Sequence, residues 1–334
     1  MNPVGWIAVT GVGVVTPGGD DPLTARPDDP APGPWFDTNS ELGRRGYRYL
    51  PPAAQYLLAA ARRAVPDVVG LTDVPAARRA AAVGSNNGAA ALLAGMDHTL
   101  VEQGAEALSP ATAPLFAVNV LASRLCAEHG LKGFSLTLTS PLVAGLEAVE
   151  VGGRALAVGR ADVVLAAATE ERLSDDAPRV GQSEQGAVVL VLQQVASGSP
   201  APPGTVGGCR VRTGFVPPDL VRESGGAPEI GRRITSLVEA VTGAERPDLP
   251  VHLVGDGSAV AGAVVTAVGR DSVSSVQPSG AGCVAPMLRL ARQLCDRPRG
   301  DGDGRSLLLA ADEGGNLAAA YVRPGPDAFH ELRE

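Results

Sequence analysis

Short apolar runs and longer amphipathic runs alternate along this chain, and the two patterns predict strands and helices respectively. The first run, Ile7–Val15, is β-branched and alternating, which is typical of a strand. The predicted strands are Ile7–Val15, Arg78–Val83, Phe134–Thr139, Ala161–Ala167, Val188–Leu192, a strand from Cys209, Val251–Val254, Ser306–Ala311 and Leu317–Val322. The predicted helices are Ala53–Ala64, Val118–His129, Gly145–Val158, Glu229–Val241, Ala259–Val268 and Val284–Leu294.

The alternation of strands and helices predicts a layered α/β architecture. A turn-rich segment, GSPAPPGTVGG at residues 198–208, separates two stretches that each contain this alternation. We therefore predict an N-terminal half at residues 1–205 and a C-terminal half at residues 206–334, packed as one compact unit. No exact sequence repeat relates the halves.

Composition narrows the function classes. Hydrophobic residues make up 45% of the 334 residues but aromatic residues only 3%, so the core must consist of Ala, Val and Leu. The formal net charge of −8 argues against a broad nucleic-acid surface, which needs a basic face. The segment ELGRRGYRY, residues 41–49, is either a local basic patch for an acidic carrier protein or an ordinary solvated segment.

The four cysteines indicate free thiols rather than a metal centre. They are Cys126, Cys209, Cys283 and Cys295, and they form no CxxC pair and no Cys/His ligand pattern. We expect no metal and no cofactor. The N-terminus lacks the pattern of a signal peptide, and no stretch reaches the roughly 20 apolar residues of a membrane helix. The sequence predicts a cytoplasmic protein.

The stretch LTLTSPLVAGLEAV, residues 136–149, has the pattern of a strand, a sharp turn and a helix. Many α/β enzymes expose a nucleophile on such a turn, beside the free N–H groups of the helix. Pro141, Leu142 and Val143 occupy this turn, and none of them can act as a nucleophile. Ser140 is the adjacent hydroxyl, but no histidine is placed by the sequence to activate it.

The order of these segments resembles the β-ketoacyl synthases of the thiolase fold. The resemblance rests on IAVTGVGVVTPGG, on GLKG followed by LTLT and GLEA, and on GRADVVLAAATE at the family's spacing. It implies a five-layered αβαβα thiolase fold built from two pseudo-duplicated halves.

The resemblance places non-catalytic residues at each catalytic position of the family. The nucleophilic cysteine falls on Leu142, the first histidine on Val254, and the second histidine near Gly280–Ala281. The flexible Gly-Phe gate falls on Asp312–Glu313. We therefore predict an inherited active-site framework without chemistry.

Among inactive relatives, the pattern is similar to the chain length factor, or ketosynthase β subunit, of type II polyketide synthases. Two features depart from that class: Leu142 stands where it has glutamine, and the segment after Glu171 is short. They point to a divergent branch such as the highly reducing systems that make polyenes.

The resemblance also implies a heterodimer with an active ketosynthase, an acyl carrier protein as a second partner, and a growing polyketide chain in a tunnel at the interface. In that family the subunits pair through the strand before the turn, and the segment before it, SPATAPLFAVN, reaches toward the partner. The tunnel and interface candidates are Ala111, Thr112, Ala113, Leu115, Phe116, Asn119, Phe134, Leu136 and Leu138. Ordinary packing of Leu115, Phe116 and the small residues is the alternative.

The sequence thus predicts a non-enzymatic subunit that sets acyl-chain length in a ketosynthase complex. Two alternatives stay open: an acyltransferase that uses Ser140, and a homodimeric scaffold that binds acyl chains or carrier proteins. His129 is expected to lie at a helix end, and His252 to point away from Val254 because side chains alternate along a strand. Glu170, Glu171 and Glu184 could mimic an acid pair, but the sequence does not fix their separation.

Overall fold

A mixed ten-stranded sheet organises the chain in the computed structural model. The structure describes residues 5–27, 34–66, 71–115, 117–195, 201–222, 226–243, 249–296 and 304–325. The strands are β1 Ile7–Val15, β2 Arg79–Gly84, β3 Ser135–Leu138, β4 Val163–Glu170, β5 Gly186–Gln194, β6 Gly207–Phe215, β7 Val251–Gly255, β8 Val273–Pro278, β9 Ser306–Ala311 and β10 Asn316–Pro324. The helices are α1 Thr38–Glu41, α2 Pro52–Ala64, α3 Ala90–Gln103, α4 Val120–His129, α5 Ala144–Ala157, α6 Pro218–Arg222, α7 Ala227–Thr242, α8 Ala259–Val268 and α9 Val284–Cys295.

The strand order repeats one topology twice. The order across the sheet is β3-β2-β4-β5-β1-β6-β10-β9-β7-β8. In each half the first strand pairs antiparallel with the fifth, the fifth antiparallel with the fourth, and the remaining pairs are parallel. An antiparallel β1–β6 pair joins the halves. The sequence-based boundary at residues 205/206 lies between β5 and β6.

Three hydrophobic clusters define the layers. The central cluster lies between the half-sheets and contains buried residues of α5 and α9. A second cluster packs α2 and α4 on the outer face of the first half, and a third packs α7 and α8 on the outer face of the second. Helix, half-sheet, helix, half-sheet, helix is the five-layered αβαβα thiolase fold, so the predicted fold class is confirmed.

Most predicted elements occur within a few residues of their expected bounds, and β1, α8 and β9 match them fully. Gly130 ends α4 in the left-handed conformation, with φ 62°, as the pattern of a glycine C-cap predicts. Two long elements were missed. Strand β8 lay in a segment that we assigned only to the lost histidine, and α3 has no buried residue, so its sequence carries no core-facing stripe.

No helix in the described ranges combines the length and the apolar composition that a membrane-spanning segment needs.

Candidate functional site

The turn between β3 and α5 keeps the geometry of a displayed nucleophile. Leu142 has φ 60°, a left-handed conformation that costs a leucine about 1–3 kcal/mol. Backbone hydrogen bonds hold the turn: Val143 N–H donates to Pro141 O at 2.6 Å, and Ala144 N–H donates to Ser140 O at 3.0 Å. The Leu142 side chain is only 5% exposed and belongs to the central cluster. The backbone of this turn is therefore strained at Leu142, and the side chain at that position is a buried hydrocarbon.

Apolar or backbone groups also occupy the two positions that the sequence resemblance assigns to the family's histidines, an assignment that stays a prediction. Val254 on β7 is fully buried in the same cluster as Leu142. The backbone of Ala281 is hydrogen-bonded instead: its N–H donates to Gln182 O at 2.7 Å, and its carbonyl accepts from the side-chain Nδ2 of Asn87. None of these groups can transfer a proton to or from a substrate.

The segment that corresponds to the gate is a tight turn. Asp312 accepts hydrogen bonds from Asn316 N–H at 3.1 Å and from Asn316 Nδ2 at 2.9 Å. The neighbouring Glu313 N–H donates to Asp256 Oδ2 at 2.6 Å. These bonds tie the turn to itself and to the loop after β7.

A thiol does lie beside the Leu142 turn, but it is not activated. Cys283 immediately precedes α9, is fully buried, and has hydrogen bonds with the Glu170 side chain and the Gly145 N–H. Burial and the neighbouring Glu170 carboxyl raise the pKa of the Cys283 thiol well above its usual range. Because the thiolate is the nucleophilic form, Cys283 is expected to be inert.

Two other polar candidates have different partners from those that catalysis would need. Ser140 Oγ donates to Glu147 Oε2 at 2.6 Å, so its hydrogen bond goes to a carboxylate one helical turn into α5. His252 is less buried than Val254, as strand alternation predicts, and its Nδ1 lies 2.8 Å from Ser275 Oγ and 2.5 Å from Arg289 Nη2. Burial and the Arg289 charge lower the pKa of His252 to about 4.

Glu170 and Glu184 meet at the N-terminus of α9. Glu170 accepts hydrogen bonds from the N–H groups of Asn86, Asn87 and Cys283, at 2.6–3.0 Å. Glu184 accepts from Gly280, Val284 and Ala285, at 2.7–3.1 Å. The positive end of a helix dipole favours such carboxylates. The structure therefore brings both acids to the N-terminus of α9, where their oxygens accept hydrogen bonds from backbone N–H groups.

Burial strongly affects the acidity of the Glu170 carboxyl. Desolvation raises its pKa to about 7, the nearby Glu184 contributes in the same direction, and the N–H groups of Asn86 and Asn87 oppose the shift. Glu171 points elsewhere and accepts from Ala91 N–H at 2.7 Å, in the first turn of α3. Burial raises the pKa of Glu171 as well.

Sequence reasoning missed the role of these three carboxylates. A usable signal was present, since an acidic pair directly after a buried strand must find donors, and free donors are concentrated at helix N-termini.

The tunnel candidates do not gather into one described pocket. Thr112 is half-buried, and its Oγ1 donates to Ser109 O at 2.7 Å, within a short 3-10 run at Pro110–Leu115. Leu115 packs against the outer cluster of the first half. Asn119 is exposed, and Phe116 lies outside the described residues. Ala111 and Ala113 fall in the same 3-10 run, and their side chains are not described.

The β3 candidates divide between the core and the surface. Phe134 and Leu138 are partly buried against the central cluster, whereas Leu136 is 43% exposed. Strand β3 forms one edge of the sheet, and among the described strands only β2 pairs with it. The gate and tunnel assignment of these residues remains a prediction.

Exposed apolar residues lie on α3 and beside β3, and Leu93 of α3 lines one small cleft together with Val118 and Thr139. Helix α3 has no buried residue over its 14 positions. The exposed large hydrophobic residues of this region, which we call the β3–α3 face, are Leu93, Leu100, Val101, Val118 and Leu136.

A comparison with known protein families matches the part of the chain that contains these features. Residues 36–193 match the model of the beta-ketoacyl synthase N-terminal domain, and this span contains the Leu142 turn, Glu170, Glu184 and the β3–α3 face. Residues 36–193 are thus similar to the N-terminal domain of beta-ketoacyl synthases. The Leu142 turn therefore lies in the part of this chain that resembles that domain.

Curated relatives match a shorter stretch. The chain is 29% identical over 137 residues to 3-oxoacyl-[acyl-carrier-protein] synthase 2 of Vibrio harveyi and 28% identical over 137 residues to that of Vibrio cholerae. The match covers 41% of this chain and 33% of each relative.

Solved structures extend the likeness over nearly the whole fold. The ishigamide ketosynthase/chain length factor superposes with a TM-score of 0.71 at 19% identity, covering 96% of this chain and 99% of that chain. A ketosynthase complex with a type II acyl-carrier protein, AntDE:AntF, gives 0.67 at 16% identity, covering 96% and 100%. A beta-ketoacyl synthase from Burkholderia phymatum gives 0.69 at 15% identity, covering 96% and 99%.

Proposed function

We propose that this chain is a non-catalytic ketosynthase-like subunit. It pairs with an active ketosynthase through the β3–α3 face and helps to set the length of the acyl chain that the partner builds. The observation that carries the proposal is Leu142: the turn retains its left-handed backbone, but the side chain is a buried hydrocarbon.

The lost chemistry supports the non-catalytic part. Condensation on a thioester needs a nucleophile to hold the acyl group and a base or acid to manage the extender unit. Leu142 and Val254 supply neither, and the neighbouring Cys283 thiol has a raised pKa. The retained turn costs conformational strain, which is consistent with a framework kept for assembly.

The β3–α3 face supports the pairing. An edge strand exposes unpaired N–H and C=O groups, and natural proteins usually cover or blunt such edges. Exposed apolar residues grouped around an edge mark interaction sites, whereas isolated ones do not. Leu93, Val118 and Leu136 are each about half exposed, so a partner that covers them gains apolar burial.

Two similar structures support the kind of partner. One is described as a ketosynthase/chain length factor, and the other contains a ketosynthase with its acyl-carrier protein. In the proposed complex the partner holds the acyl thioester and performs the decarboxylative Claisen condensation. This chain contributes part of the wall of the acyl tunnel, with the segment around Thr112 as the candidate gate.

Co-expression with the ketosynthase encoded nearest to it tests the pairing. Native mass measurement of the purified material should give a one-to-one complex, with this chain poorly soluble or monomeric when it is expressed alone. A stable homodimer that ignores the ketosynthase would contradict the proposal and favour a homodimeric scaffold.

Chain-length control is tested by Thr112→Phe. A bulky ring at this half-buried position should shorten the products of the complex while leaving the first condensation intact. Thr266→Phe is the matched control, because it makes the same change at an exposed position of α8 where the threonine Oγ1 also donates to a backbone carbonyl, Gly262 O at 3.0 Å. Products of unchanged length from an intact Thr112→Phe complex would remove Thr112 from the gate.

A further inference from the structure

Three polar side chains meet beside strand β8, at the opposite edge of the sheet from β3. Arg289 lies on α9, His252 on β7 and Ser275 on β8. Arg289 Nη2 donates to Ser275 Oγ at 3.3 Å and lies 2.5 Å from His252 Nδ1, which is also 2.8 Å from Ser275 Oγ. All three residues are partly exposed, so the cluster is not sealed from solvent.

This cluster contains more hydrogen-bond donors than acceptors. A guanidinium only donates, so His252 Nδ1 must accept and the imidazole is neutral. The single lone pair of that nitrogen lies within reach of two donors, an Arg289 N–H and the Ser275 hydroxyl. Arg289 Nε is buried and has no hydrogen-bond partner among the described residues. An anion with several oxygens supplies acceptors only, which is what this set of donors lacks.

The charge around Arg289 also favours an anion. In the described part of the chain, its guanidinium forms no ion pair with a carboxylate. Arg292, one helical turn further along α9, donates to the carbonyls of Pro22 and Ala25. Burial lowers the pKa of Arg289, the Arg292 charge acts in the same direction, and Asp296 opposes both. Two guanidinium groups are thus balanced by one carboxylate.

The same contacts argue against a cation. The lone pair of His252 that could hold a metal ion is already in contact with the Arg289 guanidinium. A further positive charge beside Arg289 and Arg292 would be repelled. Across the described ranges, no group of three or more His, Cys, Asp or Glu side chains could hold a metal ion.

We propose that Arg289 and Ser275 bind one oxyanion, a phosphate or carboxylate group of a small molecule, while His252 orients the guanidinium. The planar guanidinium presents paired N–H donors that match the oxygens of either group. The Ser275 hydroxyl supplies a further donor once the guanidinium turns to the anion. The site lies in the second half, on the edge opposite to the β3–α3 face, so the inference does not depend on the subunit proposal.

Calorimetric titration of the full chain tests the site. Inorganic phosphate and acetate are titrated separately, with sodium chloride at the same ionic strength as the reference. At least one of the two oxyanions should bind with one-to-one stoichiometry. Tighter binding of phosphate assigns the site to phosphate groups, and equal or tighter binding of acetate assigns it to carboxylates.

Two variants locate the binding. Arg289→Gln removes the charge and should weaken binding at least about tenfold, whereas Ser275→Ala keeps the charge and should weaken it about threefold. Arg270→Gln makes the same charge change at an exposed position just before β8 and should bind like the unmodified chain. Thermal midpoints in chloride show that each variant is folded.

The NMR titration of His252 gives a readout that belongs to this place alone. The chain has 4 histidines, and His252→Gln identifies the resonance by its loss. Burial and the Arg289 charge, the charged group that faces the ring, lower the pKa of His252 to about 4. A bound anion stabilises the imidazolium, so this pKa should be higher in sulfate, whose charge is constant near this pH, than in chloride of equal ionic strength.

The inference is overturned if neither oxyanion binds, if folded Arg289→Gln binds as tightly as the unmodified chain, or if sulfate leaves the His252 titration unchanged. Each of these results leaves the subunit proposal standing, because no contact of the β3–α3 face is involved.

Discussion

The two halves contain the same strand–turn–helix unit, once as β3–α5 and once as β8–α9, and in each unit an edge strand leads to a helix of the central layer. The connecting turns have equal length, residues 139–143 and 279–283. Their contents differ. The first turn presents Leu142 to the apolar core with a left-handed backbone. The second turn presents backbone N–H groups to the carboxylates of Glu170 and Glu184.

Turns of equal length therefore do different things: the first holds a strained backbone around a buried side chain, and the second directs N–H groups toward buried acids. The first turn keeps a conformation whose usual purpose is to display a nucleophile, although its side chain cannot react. The second turn lies where the family has its second histidine, and here it is anchored by acids of the first half. Gly280 and Gly282 are required there, because an added Cβ would lie 2.5 Å from Glu184 Cγ or 2.7 Å from Glu170 Cγ.

The largest expected effect comes from removing the anchor of the second turn. Glu184→Ala leaves three N–H groups, of Gly280, Val284 and Ala285, without their acceptor. We expect the free energy of unfolding to fall by roughly 3–5 kcal/mol, measured by urea denaturation. The exposed Glu106→Ala should change it by less than about 0.5 kcal/mol. A loss below about 1 kcal/mol for Glu184→Ala would contradict the anchoring role.

The pH dependence of stability is the next largest effect. The pKa of Glu170 is about 7 in the folded chain, against an ordinary 4.5, so the folded state retains a proton that the unfolded state releases between these values. The unfolding free energy should therefore fall as pH rises from about 4.5 to about 7, by roughly 3 kcal/mol. Below pH 4.5 the Glu170 contribution is fully present.

Urea midpoints between pH 4.5 and 8 measure this slope. Glu170→Gln cannot titrate and should flatten it, whereas the exposed Glu106→Gln should not. An equal slope in Glu170→Gln would assign the titration to another group, such as Glu171, whose pKa burial also raises.

The smallest of the stability effects tests how closely the two units pack. In Gly145→Ala the added Cβ would lie 2.3 Å from Met287 Cγ on α9 and 2.8 Å from Ala168 Cβ. We expect this overpacking to cost about 1–3 kcal/mol. Gly262→Ala on α8 meets no atom within 4 Å and should stabilise the chain by about 0.5–1 kcal/mol. Equal effects at the two sites, by thermal denaturation, would show that α5 and α9 are not closely packed.

Much of the fold follows from the sequence because most elements face a core. Strands β1, β4, β5 and β9 are buried on both faces and are predicted by apolar runs. The sequence does not predict helix α3 and strand β8 because neither packs a regular set of side chains against one of the three hydrophobic clusters. α3 has no buried residue, and β8 is an edge strand with alternate exposed positions.

The assignment of Leu142 and Val254 to catalytic positions comes from the resemblance and stays a prediction, whereas the contacts of the buried acids come from the structure alone. That assignment needs only the order and spacing of the sequence motifs, and no knowledge of the three-dimensional structure. The pairing of Glu170 with Glu184 required the fold, because these residues meet only when β4 and the following loop reach the N-terminus of α9. The Cys283 contact with Gly145 likewise joins the two halves and has no signature in local sequence.

The location of the acyl group during elongation tests the central claim most directly. The purified complex with its ketosynthase is loaded from an acyl-carrier thioester, quenched, digested and mapped by mass spectrometry. We predict that the acyl group is found on a cysteine of the ketosynthase and on no residue of this chain, and that Ser140→Ala changes neither the loading nor the rate of condensation. An acyl group on Ser140 or Cys283 of this chain, lost on substitution of that residue, would contradict the account and identify an enzyme.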